Sequence, residues 1–430
     1  MRKYFFITFT CISFLTKAQQ PMTLKQAVDI ALKNSLDIEL LQNRVSIDSV
    51  LNHYGVAGGL PLVSGNLADN EQITSVDQKL NTGVEISRRN AAANTLSANV
   101  TANMILYNGG RVVATKKRLA QLQQQSMKLL NSQVQNVIAD VTNAYYDVVR
   151  QQYYIITLER SIEAAVQRLD IVKATQQAGL ANNAELFQSQ IDLNALLQQK
   201  QAQELVTAQA KTELLRLLTL QTDSSVLIQD SIIVDRTVDF ANVYNRLDKN
   251  PDIAAAADQI RINELIVKET ASQRYPSLRA NTGFNLNRNV GAGQLVFNQS
   301  YGPTLGIGMT IPIYNGSAFS RQQKAAEINV NTAVVQKDIL LRDYTANAVK
   351  TYQAYKSTLQ QLETEKANNL LTGQLLELVM KRFELRQATI VEVKNAQQSF
   401  EESGFRLTNL NYAAKFAETE LKRLGSMLSN

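Results

Sequence analysis

Two segments of the chain alternate apolar and polar residues with a period of two. Leu278, Ala280, Thr282, Phe284 and Leu286 interleave with Arg279, Asn281, Gly283, Asn285 and Asn287, and Leu305, Ile307, Met309, Ile311 and Ile313 interleave with Gly306, Gly308, Thr310 and Pro312. This period predicts strands with one apolar face, over about 278–288 and 304–313. A related pattern earlier in the chain, Leu96, Ala98, Val100, Ala102, Met104 and Leu106 against Ser97, Asn99, Thr101, Asn103 and Ile105, predicts a strand over about 96–106, with a weaker one over about 62–72. Each is of the length that a tilted membrane-spanning strand needs, about 9–11 residues. The polar stretches Asp69 to Thr95 and Arg288 to Ser300 then read as loops.

Elsewhere the period is helical. Val134, Val137, Val141, Tyr145, Val148 and Ile155 keep a three/four spacing, as do Ala348, Tyr352, Tyr355, Leu359 and Leu362, which is the seam of helices packed in coiled-coil fashion. No proline falls in 62–250 or 313–430, and glycine is sparse in both stretches. Helices are therefore predicted over about 110–178, 183–219, 316–385 and 389–425. The first, at 1.5 Å per residue, would extend on the order of 100 Å, too long for an ordinary globular domain.

These patterns recur. Tyr107-Asn108-Gly109 matches Tyr314-Asn315-Gly316, Tyr145 matches Tyr352, Glu185 matches Glu392 and Gln190 matches Gln397, always 207 residues apart. Upstream, Pro61 matches Pro276 and Asp37 matches Asp252 at an offset of 215, so the halves differ by 8 residues between the prolines and the Tyr-Asn-Gly turns. A length change confined to one interval marks a surface loop. The chain divides into a first repeat over 19–220, an inter-repeat segment over 221–240 with a short β-like run (Val226 to Ile228, Ile232 to Val234), and a second repeat over 241–430. Each repeat reads helix, strand, loop, strand, very long helix, reversal, long helix, with reversals at Ala178 to Glu185 and Leu385 to Glu392.

Composition narrows the setting. The start, MRKYFFITFTCISFLTKAQQ, has two basic residues, an apolar run and a small-residue site, the plan of a secretory signal peptide over 1–18. Removing it takes Arg2, Lys3 and Lys17 and leaves 41 basic against 38 acidic residues, so the apparent basicity gives no case for nucleic acid. It also takes Cys11, the only cysteine, leaving neither a disulfide framework nor a thiol metal site. His53 is the only histidine, so Ser-His-Asp, Cys-His and multi-His metal sites cannot be assembled within one chain. No catalytic, cofactor or metal residues are expected, and Gly291-Ala292-Gly293 has no phosphate-binding context. Later apolar runs are short, which excludes a helical inner-membrane protein. Four strands cannot close a barrel, and open edges in lipid would leave N–H and C=O groups unpaired. Several subunits must then contribute strands to one symmetric ring.

The duplicated plan, the openings Thr23-Leu24-Lys25-Gln26-Ala27 through Asn34-Ser35-Leu36-Asp37 and Asn250-Pro251-Asp252, the Tyr-Asn-Gly turns and Gly179-Leu180 resemble the TolC-like outer-membrane efflux proteins over essentially the whole mature chain. The resemblance implies a mainly α fold with a transmembrane β part. Tandem helix-strand-strand-helix repeats would give four strands per subunit to a trimeric, twelve-stranded β-barrel, with the long helices forming a periplasmic tunnel. It also implies a location in the outer membrane with helices in the periplasm, a homotrimer in contact with outer-membrane lipid, and docking of a periplasmic adaptor and an inner-membrane pump of RND or ABC type. The subunit itself would be a passive, gated conduit in efflux or type I secretion, not an enzyme.

The same resemblance assigns residues. Thr389-Ile390-Val391-Glu392-Val393-Lys394-Asn395-Ala396 is similar to the family's constriction pattern, T-I-V-D-V-L-D-A, with Glu392 in the first acidic place and Asn395 in the second. The alternative for Glu392 is a solvated helix-face charge. Glu185 takes a position that holds the closed tip or is a plain surface glutamate, and Phe383 is a tip aromatic or a core aromatic. Gly179 and Leu180, with Arg386 and Gln387 in the second repeat, fall at the adaptor-docking tips, where a reversal favours positive φ. Asn108, Gly109, Asn315 and Gly316 are read as structural strand-to-helix turns. The competing reading is a periplasmic adaptor or coiled-coil spacer, which would lack lipid-facing strands.

Overall fold

The structure, a computed structural model, describes residues 21–179, 182–291 and 297–428. The expected signal peptide therefore lies outside the described residues. Its elements are α1 Leu24–Asn34, α2 Leu36–Leu51, β1 Leu62–Lys79, β2 Glu85–Asn108, α3 Arg111–Gln177, α4 Asn183–Leu217, the short α5 Phe240–Tyr244, α6 Pro251–Ala271, β3 Ser277–Gly291, β4 Phe297–Thr310, α7 Ala318–Glu384 and α8 Ile390–Leu424. The duplication is visible in element lengths: α3 and α7 have 67 residues each and α4 and α8 have 35 each. Among the described residues no helix is long and apolar enough to cross a membrane.

The chain divides into two units. One gathers Leu40–Ser132 and Asp248–Asp343 and contains the sheet, an antiparallel meander in the order β1-β2-β3-β4. The ladders place Leu62 opposite Asn103, Asn103 opposite Asn281 and Asn281 opposite Gly306, so these residues share one face. Strand alternation then gives that face Asn66, Asn99 and Asn285, with Ser, Thr and Gly around them. Asn66 donates to Asn99 at 3.1 Å. The opposite face carries Leu67, Val100, Phe284, Tyr301, Leu305, Ile307 and Met309, all largely exposed in the single chain. Below the sheet, ion pairs of Lys128 with Asp258 (2.6 Å) and Arg118 with Glu269 (2.7 Å) tie α3 to α6.

Five strand ends differ from the sequence pattern. The stretch Asp69 to Thr95 is not a loop: the β1–β2 ladder continues from about 72 out to Lys79 opposite Glu85 and closes at Gly83 (φ +83°), and β2 accordingly begins well before 96. Backbone pairing does not need an apolar face, and polar cross-strand pairs sustain it, Asn94 to Asp69 at 2.6 Å and Lys79 to Glu85 at 2.5 Å. Likewise Arg288 to Ser300 is mostly ladder, since β3 runs to Gly291 and β4 starts at Phe297. In the other direction β4 stops at Thr310 short of 313, next to Pro312, which has no N–H to give. A bulge between Ile105 and Tyr107 sets Leu106 out of the alternation.

The other unit gathers Gln133–Leu247 and Tyr344–Asn430 with the described chain up to Glu39. Here the predicted seam is core: Val137, Val141, Tyr145 and Val148 of α3 and Ala348, Tyr355 and Leu362 of α7 are buried. Ala348 and Tyr355 pack with Ala417, Leu421 and Leu424 of α8 and Val243 of α5. The inter-repeat segment forms no strand among the described residues, contrary to its β-like sequence. Side chains of the long helices, with one backbone bond from Met22 N–H to the Leu227 carbonyl (2.8 Å), hold it in place of a ladder. Tyr145 Oη donates to the Met22 carbonyl (2.9 Å) and to Asp230 (3.1 Å), Gln152 donates to the Ile228 carbonyl (3.1 Å), and Tyr355 Oη donates to the Asp235 carbonyl. Burial, reinforced by the Asp230 charge, raises the Tyr145 hydroxyl far above the ordinary tyrosine value, so it stays a donor. Tyr145→Phe is expected to lower stability by about 1–2 kcal/mol, read as a lower midpoint in thermal unfolding.

Candidate functional site at the helix reversals

Each long helix ends in a left-handed residue. Gly179 follows α3 with φ +75°, and Arg386, its counterpart 207 positions later, follows α7 with φ +63°. The second ending is a Schellman motif, with Gln387 N–H donating to the Arg382 carbonyl (2.7 Å) and Arg386 N–H to the Phe383 carbonyl (3.0 Å). The Arg382 guanidinium also caps the Gln387 carbonyl at 2.7 Å. An arginine thus holds a conformation that costs an L-residue about 1–2 kcal/mol and that glycine adopts freely. Leu180 lies outside the described residues.

The returning helices begin with matched caps. Asn182 accepts from Glu185 N–H (2.9 Å) at the start of α4, and Thr389 accepts from Glu392 N–H (3.2 Å) at the start of α8. Glu392 closes a capping box, its carboxylate accepting from Thr389 N–H (2.6 Å) and Thr389 Oγ1 (3.0 Å). Hydrogen bonds from the Thr389 backbone and hydroxyl lower the Glu392 pKa. Glu392 and Asn395 are exposed, whereas Phe383 is half-buried against a core of Leu376, Val379, Val393 and Phe400. Among the described residues no hydrogen bond or ion pair joins Glu185 to the second reversal.

An ion cluster that the sequence reading did not find links the two repeats close to these caps. Asp192 of α4 accepts from Arg168 of α3 (3.1 Å), Gln188 of α4 (2.9 Å) and Lys394 of α8 (2.9 Å). Burial by itself would raise the Asp192 carboxyl, but the bonds from Lys394 and Gln188 and the charge of Arg168 hold it below its ordinary value. Arg168 is fully buried, and its Nε and Nη1 have no hydrogen-bond partner among the described residues. The available signal was its position: Ala164, Ala165, Arg168, Leu169 and Val172 keep helical spacing, so a charge on that stripe needs a buried acid. Between α3 and α7 a groove of 820 Å³ has Ala164, Leu376, Met380 and Phe400 among its walls and Arg160, Glu163, Asp170 and Lys381 around them.

The strand-to-helix turns are constrained locally. Asn108 Oδ1 accepts from Val112 N–H at 3.3 Å. Gly109 has φ +67°, and a Cβ there would lie 2.7 Å from the Ser272 carbonyl oxygen and 2.8 Å from Tyr275 Cβ. In the second repeat Gly316 has φ +64° in open space, and Asn315 O accepts from Ala318 N–H at 3.3 Å.

Comparison with known proteins now decides the relationship. The profile of the outer membrane efflux protein family matches residues 27–220 and 242–425, both repeats and nearly all of each. The chain belongs to the outer membrane efflux protein family. It is 22% identical over 368 residues to outer membrane protein TolC of Vibrio cholerae serotype O1, covering 81% of this chain and 82% of that protein. Among solved structures it is similar to CusC (TM-score 0.76, 16% identity, covering 94% of this chain and 91% of that one). It is equally similar to the outer-membrane channel CmeC of Campylobacter jejuni (TM-score 0.76, 16% identity, covering 99% and 94%). The efflux-family fold of paired long helices and a four-stranded sheet is therefore the fold of this chain.

Two stability predictions follow from the reversals. Asp192→Asn leaves a buried guanidinium uncompensated and is expected to cost about 3–5 kcal/mol, while Lys394→Gln, half exposed, costs about 1 kcal/mol or less. Gly179→Ala is expected to destabilise and Arg386→Gly to stabilise by up to about 1 kcal/mol. Thermal unfolding of the four variants beside the parent checks both orderings.

Proposed function

We propose that the chain is one subunit of a homotrimeric outer-membrane channel, a passive gated conduit that receives substrates from an inner-membrane pump of RND or ABC type through a periplasmic adaptor. The observation that carries this reading is a four-stranded sheet with one apolar face and two long unpaired edges, β1 and β4. Such edges are untenable in lipid unless β4 of one subunit pairs with β1 of the next, and three copies give the twelve strands of a closed barrel. The apolar face then meets lipid and the asparagine face lines the lumen. The helices lie in the periplasm on this reading, and the four helix ends at the reversals form its tip.

Family membership supports the adaptor and pump, and so do the side chains at the tip. Phe187, Ile191, Leu385 and Val391 are apolar and largely exposed there, which suits docking of helical hairpins beside Gly179, Arg386 and Gln387. Glu392 serves as a constriction residue: three carboxylates in a ring favour cations, and the Thr389 bonds that lower its pKa keep the ring charged. Glu185 and Asn395 complete the polar tip, with Phe383 wedging the reversal against its core.

The detergent-extracted outer-membrane protein is expected to cross-link as a trimer and to form small channels in planar bilayers. Glu392→Gln keeps a capping-box side chain while removing the charge, so reduced cation preference with only a small loss of stability is the expected result. Because the folded-state pKa is lowered, the cation preference should persist as pH falls through the ordinary glutamate range and vanish only below it. A soluble monomer without conductance would instead favour an adaptor or spacer role.

A further inference from the structure

We propose that Arg279, with Arg111 beside it, forms an anion-attracting collar at the base of the barrel lumen, so that solutes bearing carboxylate, sulfonate or phosphate groups are favoured where strands give way to helices. This inference rests on the channel reading above. The ladder register puts Arg279 on the polar face of β3, two residues below Asn281. Following that face outward through every paired row, the side chains are Asn, Ser, Thr, Gly, Ala and Gln with a single Leu and, opposite Arg279 itself, Ile105; Arg279 is the only charged one as far as the Gly291 row. The lumen wall is thus a neutral amide surface with one fixed positive charge per subunit.

That charge is not neutralised nearby. Arg279 and Arg111 line the same cavity, of 440 Å³, with Asn108, Ser277 and Thr310 and with no acidic residue. Among the described residues neither arginine has a carboxylate within ion-pair distance. The nearby Glu269 is taken by Arg118 at 2.7 Å, and the adjoining Arg274 donates to the neutral Gln323 at 3.3 Å. Threefold repetition would set six guanidinium groups around one opening with low-dielectric walls, which focuses their field on the passing solute. The polar face also separates soluble anions from lipid phosphates: headgroups reach the apolar face, where Arg288 lies over the Phe297 ring (5.8 Å), and not the face of Arg279.

The test reads local potential, independently of whichever constriction limits conductance. Asn281→Cys, exposed on the same face, is reacted in the purified trimer with a sulfonate-bearing and a trimethylammonium-bearing methanethiosulfonate, with the parent chain as blank. The ratio of anionic to cationic modification rates is expected to fall on the order of 3-fold or more when Arg279→Gln is added, to fall further with Arg111→Gln, and to recover with Arg279→Lys. A ratio unmoved by Arg279→Gln in a trimer that conducts overturns the collar and leaves the channel standing. A parent protein that neither trimerises nor conducts overturns both.

Discussion

A polypeptide in hydrocarbon has nothing but itself with which to pair its N–H and C=O groups. One chain supplies four strands, whose outer members, β1 and β4, each present a row of unpaired backbone groups beside an apolar face. On the channel reading the chain is incomplete alone, and the duplication makes completion economical. Each repeat contributes one hairpin, the two hairpins pair through β2 and β3, and on that reading the same antiparallel pairing continued between copies would close the ring.

The helical part obeys a different rule. Helices satisfy their own backbone, so their length is limited by side-chain packing alone. Seam residues at three/four spacing keep α3 and α7 packed, with tyrosines where a polar strap must be held. The strap joining the repeats has no ladder of its own among the described residues; Met22 N–H, Gln152 and Tyr355 reach its carbonyls, and Tyr145 reaches the Asp230 side chain. Where the helices turn back, the two repeats reach one backbone geometry from different residues, glycine at 179 and arginine at 386. The second repeat holds its strained arginine with a Schellman pair and the Arg382 cap.

Charge is distributed along the same plan. Near the reversals acids and bases are paired, as Asp192 is with Arg168 and Lys394, or bound into caps, as Glu392 is by Thr389. At the foot of the strands, Arg111 and Arg279 line one cavity that holds no acidic residue. Paired charges fix geometry, whereas unpaired ones in a confined aqueous path act on whatever passes.

Much of this was legible in the residues. The offset of 207, the two periods and the turn glycines determined the duplicated order of elements, the apolar faces and the reversals, because each depends on neighbours a few positions apart. Sequence pattern failed where backbone pairing and side-chain burial part company. The alternation ends with the apolar face, yet the β1–β2 ladder runs on to Lys79 through polar pairs. The Val226–Val234 text reads as strand but finds side chains in place of a partner strand. Asp192 meets Lys394 across 202 positions, and among the described residues Arg279 has no carboxylate within ion-pair distance. The sequence alone determined what repeats and what alternates; only the tertiary structure decided which backbone groups and charges find partners, because pairing depends on distances between residues that the chain places far apart.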